Sequence, residues 1–189
     1  MTIKGIIITL VPLKEEFLEV MVMWRNNPLV SSTMFDRGIF TLQSQIDWYN
    51  KIKNDPTRKQ FIIIANKSDK PIGAVNLMNI DNTNLHCDWG YYIGEDDFRM
   101  GGYSIEAEFL ILKYAFTDLG MNKVYCQTLS YNTKVLSIHK KFGFITEGIQ
   151  RQHYKENDKF SDVVIMSILK NEFYDSSKQI ELLLNFYNR

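Results

Sequence analysis

Arg99-Met100-Gly101-Gly102-Tyr103-Ser104 is the stretch of sequence that decides the fold. Apolar residues recur at steps of four and three in the segment that it opens, and predict a helix over 103–119. Two adjacent glycines at a helix start let the backbone approach a ligand and leave N–H groups pointing outward. Phosphate is the natural ligand of such groups, and Arg99 adds a charge-assisted partner. An isolated double glycine could equally be a glycine-tolerant loop, so its surroundings must decide.

The residues on either side predict an alternation of strands and helices. Strand patterns cover 6–11, 61–65, 72–80, 86–93, 123–129, 145–154 and 159–169. Helical patterns cover 14–26, 42–54, 103–119, 132–142 with Asn132 as its cap, and 171–188. Short polar turns between successive strands predict antiparallel neighbours. We therefore expect one α+β domain over 1–189, with a mixed, mostly antiparallel sheet of about seven strands flanked by helices.

Composition excludes several classes of protein. Lysine plus arginine equals aspartate plus glutamate at 22 each, which argues against nucleic-acid binding by bulk phosphate attraction. The two cysteines, Cys87 and Cys126, fit neither a disulfide framework nor a zinc site, so no metal is expected. No apolar stretch approaches the roughly 20 residues that span a bilayer. The apolar run near the N-terminus is too short for a signal peptide, so we expect a cytoplasmic protein without membrane contacts.

The position of the double glycine in the chain indicates which phosphate-binding motif it belongs to. A dinucleotide fold would carry Gly-x-Gly-x-x-Gly after the first strand, and a Walker loop would carry Gly-Lys-Ser/Thr. Here the loop follows the fourth predicted strand and resembles the pyrophosphate loop of the GNAT acetyltransferase superfamily, Arg/Gln-x-x-Gly-x-Gly/Ala. Arg99 and Gly102 match its first and fourth positions. Ser104 replaces the usual Gly or Ala at the sixth, and as a small residue it should preserve access to the backbone.

A second signature of that superfamily is a strand, an asparagine, and a helix that ends in a Gly-Phe pair. Asn132 and the run Lys141-Phe142-Gly143-Phe144 match it, and the resemblance extends over roughly 6–169. The segments 24–28, 71–73 and 88–94 are similar to the branch of ribosomal-protein alanine acetyltransferases. They are still more similar to the nucleotide-amino-sugar N-acetyltransferases of the pseudaminic acid pathway.

The resemblance implies a GNAT fold in which the fourth and fifth predicted strands splay apart and acetyl-CoA is the donor. The pantetheine arm would lie between these strands, and an N–H group there would polarise the thioester carbonyl. The helix over 103–119 would bind the pyrophosphate. The residues that it assigns to the coenzyme are Tyr92, Ile93, Gly94, Arg99, Met100, Gly101, Gly102, Tyr103, Ser104, Asn132, His139 and Lys141.

Two catalytic candidates follow from the same resemblance. His139 occupies the position at which the superfamily often has a tyrosine general acid, and an imidazole can donate a proton to the leaving thiolate. A satisfied core histidine is the competing interpretation. Asp88 lies on the same face of its strand as Tyr92 and could accept a proton from the incoming amine. Gln127 stands where several relatives carry glutamate, so a water chain or no dedicated base is a further alternative.

The acceptor should bind between the first two helices and the open end of the sheet. Arg25 could meet a nucleotide diphosphate, and Met34, Phe35, Trp48, Tyr92 and Gln127 could line the pocket, with ordinary core packing slightly favoured for Trp48. The leading hypothesis is direct attack on the thioester by the 3-amino or 4-amino group of a nucleotide-linked amino-dideoxy sugar. Alternatives are a protein N-terminus as acceptor, or a catalytically weak acyl-CoA-binding module that regulates a partner. The neutral charge balance does not support an antibiotic acceptor. A monomer or a homodimer is expected.

Overall fold

The computed structural model describes residues 1–187 as eight strands and six α-helices. The strands are β1 (Ile3–Lys4), β2 (Ile8–Pro12), β3 (Lys59–Ala65), β4 (Lys70–Asp81), β5 (His86–Ile93), β6 (Lys123–Leu129), β7 (Ile145–Glu156) and β8 (Lys159–Leu169). The helices are α1 (Leu18–Asn26), α2 (Pro28–Ser31), α3 (Leu42–Ile52), α4 (Tyr103–Lys113), α5 (Thr133–Phe142) and α6 (Lys170–Tyr187).

All eight strands form one sheet in the order β1-β2-β3-β4-β5-β6-β8-β7. Within residues 1–187 the single parallel pair is β5 with β6, and the other neighbours are antiparallel. The α+β class and the mixed, mostly antiparallel sheet are therefore confirmed. The expected count of seven is one short because a two-residue strand, β1, pairs with the start of β2.

The helices agree with the predicted ones apart from their ends. The segment Glu15–Phe17 is a 3₁₀ turn, so α1 begins four residues later than the predicted start at Lys14. The segment Tyr114–Asp118 widens into a π-helical turn, which ends α4 earlier than predicted. The apolar Leu42 at the start of α3 is exposed, and the buried residues of this helix are Gln45 and Ile52. The predicted last helix and domain extended to Asn188 and Arg189, which lie outside the described residues.

The sheet separates two hydrophobic clusters. One cluster lies between the sheet and α4, α5 and α6, and includes Trp89, Phe109 and Phe142. The smaller cluster joins α1 and α3 to the other face through Trp24 and Ile62. Helix α4 is covered from both sides, and every residue from 106 to 112 is buried. In the part of the chain that the structure describes, no helix is both long and apolar enough to cross a membrane.

A buried carboxylate on α4 fastens the beginning of the sheet. Glu106 is 1% exposed and accepts hydrogen bonds from the backbone N–H groups of Ile7 and Ile8 at 2.7 and 2.8 Å, and from that of Ile6. A Cβ at Gly5 would meet the Glu106 carboxyl at 2.8 Å, so the chain needs glycine at that point. Three backbone donors at the beginning of β2 are thereby satisfied.

We predict that Glu106→Ala lowers the free energy of unfolding by roughly 3 kcal/mol or more, because three buried N–H donors lose a charged acceptor. Urea denaturation monitored by circular dichroism measures the change. The matched control is Glu181→Ala, which removes an exposed glutamate 3.8 Å from Lys113 and should change stability by less than about 0.5 kcal/mol. Equal effects of the two substitutions would contradict this role of Glu106.

Candidate active site

The parallel pairing of β5 with β6 extends over three residues of each strand. His86, Cys87 and Asp88 pair with Lys123, Val124 and Tyr125, and beyond these residues the strands separate. Each strand keeps its other neighbour, since β5 remains paired with β4 up to Ile93 and β6 with β8 up to Leu129. The result is a wedge-shaped opening in the middle of the sheet, here called the splay. The predicted separation of these strands is confirmed.

The free backbone edge of β5 faces the splay. The N–H of Gly94 donates to the Ile72 carbonyl of β4 at 2.8 Å, and backbone groups alternate in direction along a strand. Ile93 and Tyr91 therefore turn their N–H and C=O groups towards the splay. The expectation that the backbone of Tyr92 and Gly94 serves the ligand is corrected, because β4 uses those groups.

The end of β5 is held in place by close packing. The N–H groups of Gly94 and Glu95 both donate to the Ile72 carbonyl, which is the pattern of a β-bulge. A Cβ at Gly94 would lie 2.1 Å from the Trp24 ring, so only glycine admits this contact. The indole N–H of Trp24 in turn donates to Glu95 at 2.8 Å. The free edge is therefore rigidly supported from α1.

Asp88 lies where the strands part. Its Oδ1 accepts the N–H of Trp89, the first β5 residue beyond the paired segment, at 2.7 Å. Burial raises the pKa of the Asp88 carboxyl to about 6, although this hydrogen bond and the charge of Arg58 act in the opposite direction. A carboxylate with such a pKa can accept a proton near neutral pH.

The N-terminus of α4 is uncapped, and the Tyr187 ring of α6 packs against it at Gly102, where an added Cβ would lie 2.5 Å from that ring. Gly101 and Gly102 have φ of 84° and 86°, a backbone region that glycine tolerates best, and among the described residues no side chain caps the helix. Arg99 contacts Asp96 at 2.9 Å and the Leu29 carbonyl at 3.3 Å, while its buried Nη2 has no hydrogen-bond partner in residues 1–187. These residues fit a pyrophosphate.

The other residues expected to hold the coenzyme have different surroundings. Ser104 lies close enough to Tyr91 to act on the pKa of its hydroxyl, which burial raises. Asn132 stands at the N-cap position of α5 as predicted, but its side chain makes no capping hydrogen bond within the described chain. Met100 and Lys141 are exposed, and Tyr103 packs edge-on against Phe98.

His139 is buried behind the splay and is 3% exposed. Its Nδ1 lies 2.8 Å from Oε1 of Glu108 on α4, and its ring centroid is 5.2 Å from that of Trp89. Burial alone would lower the pKa of His139, but the Glu108 carboxylate outweighs it and raises the pKa to about 10. The histidine is thus a core residue with a buried carboxylate partner, beside the point where the strands part.

The opposite face of β5 carries the residues predicted for the acceptor. Tyr92 packs edge-on against Trp24, and its buried hydroxyl has no hydrogen-bond partner in the described part of the chain. Arg25 is close enough to affect the pKa of Tyr92, which burial raises. The Arg25 guanidinium stacks 3.9 Å above the Phe40 ring and lies 3.5 Å from Asp36.

The α2–α3 connection and the β7–β8 hairpin close the outer side of this face. Phe35 packs edge-on against Tyr154 of the β7–β8 hairpin, and Arg37 pairs with Glu156 on the same hairpin. Residues 151–153 of this hairpin bulge opposite Asp162, which bends the strand locally. Met34 also belongs to this wall, since its carbonyl accepts from Arg37 at 2.8 Å.

The remaining two candidates for acceptor binding, Trp48 and Gln127, lie in different parts of the structure. Trp48 is half-buried against the α1 cluster, in agreement with the core role that was slightly favoured for it. Gln127 is exposed on β6, two residues beyond the last pair with β5, and so lies on the far edge of the splay.

Sequence reasoning missed Glu108, Tyr91 and Arg37. The available signal for Glu108 was two glutamates, Glu106 and Glu108, within a helix whose other neighbours are apolar. A carboxylate in a helix that is buried on all sides needs a partner, and His139 is that partner. Among the described residues no group of three or more His, Cys, Asp or Glu side chains is arranged to hold a metal ion.

Comparisons with known proteins agree with this geometry. The family model "Acetyltransferase (GNAT) domain" matches residues 8–145. An uncharacterized N-acetyltransferase p20 of Bacillus licheniformis is 27% identical over 170 residues, which are 88% of this chain and 94% of the relative. The acetyltransferase PseH of Campylobacter jejuni is 25% identical over 132 residues, 70% of this chain and 79% of PseH. A spermidine N-acetyltransferase of Vibrio cholerae, solved with CoA and spermine, superposes with a TM-score of 0.83 at 23% identity, covering 90% of this chain and 99% of that one.

We predict that Arg99→Ala weakens coenzyme A binding about tenfold, since one charge-assisted hydrogen bond to the pyrophosphate is lost. Isothermal titration calorimetry of the protein with coenzyme A measures the change. Binding of pantetheine, which lacks the pyrophosphate, should stay the same. The exposed Arg151→Ala is the matched control, and equal loss of coenzyme A and pantetheine binding would show that Arg99 acts only on the fold.

Proposed function

This chain belongs to the acetyltransferase (GNAT) domain family, and on that premise we propose that it acetylates a nucleotide-linked amino-dideoxy sugar. The protein is an N-acetyltransferase, and acetyl-CoA is its donor. The proposal concerns the acceptor, a primary amine at the 3- or 4-position of the sugar. The similarity to PseH and the unused Nε donor of Arg25 on the acceptor face support it.

The residues around the splay suit the donor. Acetyl-CoA supplies an acetyl thioester at the end of a pantetheine arm. The N–H and C=O groups of Tyr91 and Ile93 would bind that arm as an added strand, with an N–H group directed at the carbonyl. The α4 N-terminus, Gly101, Gly102 and Arg99 would hold the pyrophosphate.

Arg25 is the observation that carries the acceptor proposal. Its side chain is 15% exposed, it is stacked on Phe40, and its buried Nε has no hydrogen-bond partner among residues 1–187. The unpartnered Tyr92 hydroxyl lies on the same face. A fixed guanidinium with a free donor favours a phosphate-bearing acceptor, because it attracts anions and repels polycations.

A polyamine is the second candidate, and one specific observation favours it. The spermidine N-acetyltransferase of Vibrio cholerae shares the fold over nearly the whole of both chains. Two carboxylates, Asp36 and Glu156, stand at the mouth of the acceptor face. Each is paired with an arginine, Arg25 or Arg37, so a polyamine would have to displace these partners. That requirement is why we favour the nucleotide sugar.

The two catalytic candidates lie on opposite faces of the sheet. Successive side chains of a strand alternate between faces, and Asp88 shares the acceptor face with Tyr92. Asp88 would accept the proton that the amine loses. His139 lies on the α4 side and would give a proton to the departing sulfur. The amine would attack the thioester from the side of the base, Asp88, and the sulfur would leave towards the side of the acid, His139.

We predict thiol release from acetyl-CoA with UDP- or dTDP-linked amino sugars in a panel that also contains spermidine and N-terminal peptides. Arg25→Gln should raise KM for the nucleotide sugar about tenfold and leave turnover of the same amino sugar without its nucleotide unchanged. The exposed Arg151→Gln is the control. Turnover of spermidine alone would establish the second candidate, and turnover of peptides alone would exclude both.

We predict that the rate falls as the pH drops through about 6, where the Asp88 carboxylate becomes protonated and can no longer accept a proton. Asp88→Asn should lower kcat about 100-fold at pH 7.5 and abolish this acidic limb. Stopped-flow detection of free thiol between pH 5 and 9 measures it. The exposed Asp175→Asn should behave like the wild type. An unchanged acidic limb in Asp88→Asn would assign the limb to another group.

A further inference from the structure

Behind the splay, His139 and Glu108 form a pair that is almost completely removed from water. Their side chains are 4% and 0% exposed, and Nδ1 lies 2.8 Å from Oε1. The rings of Trp89 and Phe144, with centroids at 5.2 and 5.1 Å, hold the imidazole on two sides. Hydrophobic residues of similar volume would fill this space at lower desolvation cost, so packing alone does not account for the pair.

The contact with Glu108 determines which ring nitrogen of His139 carries a hydrogen. Burial raises the pKa of Glu108, so the proton between Oε1 and Nδ1 can reside on either atom. When it resides on Nδ1 the imidazole is an imidazolium, and when it resides on Oε1 the imidazole is neutral. In both arrangements the second hydrogen of the pair is on Nε2. Glu108 therefore keeps Nε2 of His139 a hydrogen-bond donor.

That donor lies where the strands part. Since Nδ1 is taken by Glu108, Nε2 is the ring nitrogen that remains for a ligand. The ring lies against Trp89, the first β5 residue beyond the paired segment, and Cys126, the first on β6, is close enough to raise its pKa.

We propose that Glu108 is a positioning residue that holds the Nε2 hydrogen of His139 ready for the sulfur released in acetyl transfer. This inference rests on the proposed function only in that an amine attacks the thioester; it does not depend on which amine. The proposal gives His139 a partner on α4, Glu108, which determines the protonation state of the imidazole.

The amine nitrogen forms a bond to the carbonyl carbon, the C–S bond breaks, and its electron pair stays on sulfur. Sulfur takes the Nε2 hydrogen, and the shared proton settles on Nδ1, which leaves a neutral imidazole bonded to the Glu108 carboxylate. The amine loses its own proton on the other face of the sheet, to Asp88. A proton from solvent then restores Nε2.

The groups that face the pair from the neighbouring elements leave this arrangement intact. Cys126 of β6 is the thiol already described. Tyr91 of β5 lies close enough for Glu108 to act on it, and burial raises the pKa of its hydroxyl, so it stays neutral. Trp89 and Phe144 carry no titratable group. Glu108 is therefore the charged neighbour that governs His139.

The first test uses the wild-type protein without acetyl-CoA. Nitrogen-15 NMR of the His139 ring should show hydrogen on Nε2 from pH 6 to 9, with its loss centred near pH 10. A ring that carries hydrogen on Nδ1 alone at pH 7 would overturn the proposal. This measurement needs neither a variant nor turnover.

The second test is Glu108→Gln, which keeps the shape and removes the charge. Without the carboxylate, burial lowers the pKa of His139 below its usual 6.5. The alkaline limb of kcat should therefore move from about pH 10 to below pH 7, and kcat at pH 8 should fall at least tenfold. Glu181→Gln on the surface is the control, and KM for the acceptor should change little.

The possible outcomes separate this inference from the proposed function. If Glu108→Gln turns over the acceptor with the wild-type alkaline limb, the role of Glu108 is refuted while the acetyltransferase assignment stands. If no amine of the panel is acetylated, the acceptor proposal fails, and the NMR titration still decides the state of His139. If Glu108→Gln does not fold, that titration of the wild type alone decides.

Discussion

Three residues of parallel pairing between β5 and β6 are the constraint on which the candidate site depends. If the pairing continued past Asp88, the backbone groups of Tyr91 and Ile93 would be bonded to β6 and unavailable to a ligand. Asp88 takes the Trp89 N–H that the next hydrogen bond of the ladder would use, and the Trp89 ring is fixed behind it by His139 and Phe144. The separation is thus maintained by specific side chains.

Helix α4 connects the two sides of this opening. Its N-terminus presents the N–H groups that suit a pyrophosphate, while two of its buried glutamates serve different parts of the sheet. Glu106 holds the entry to β2 through three backbone hydrogen bonds, and Glu108 holds His139. Both carboxylates lie on a helix that packs against the sheet on one side and α6 on the other. A rotation of α4 would therefore disturb the fold and the site together.

Sequence reasoning reached the fold and the acetyl donor because both depend on local patterns. The spacing of Ile105, Phe109 and Leu112 predicts a helix, and the two glycines before it predict close backbone approach. It did not reach the pairing of Glu108 with His139, which are 31 residues apart in the chain, or of Arg37 with Glu156. It also assigned the backbone of Tyr92 and Gly94 to the wrong side, since the direction of backbone groups depends on the register with β4. Contacts between distant elements follow from the topology, which local patterns do not encode.

The same distinction explains why the sequence predicts the acetyl donor more readily than it predicts the acceptor. In the proposed site acetyl-CoA would contact mostly backbone groups, whose positions follow from strand and helix geometry. The acceptor would contact side chains from α1, the α2–α3 connection and the β7–β8 hairpin, and these are already paired in charge: Arg25 with Asp36, and Arg37 with Glu156. An acceptor must compete with those pairs. Arg25 lies 3.5 Å from its carboxylate and retains an unused Nε, so it is the partner that an incoming phosphate can take over at least cost.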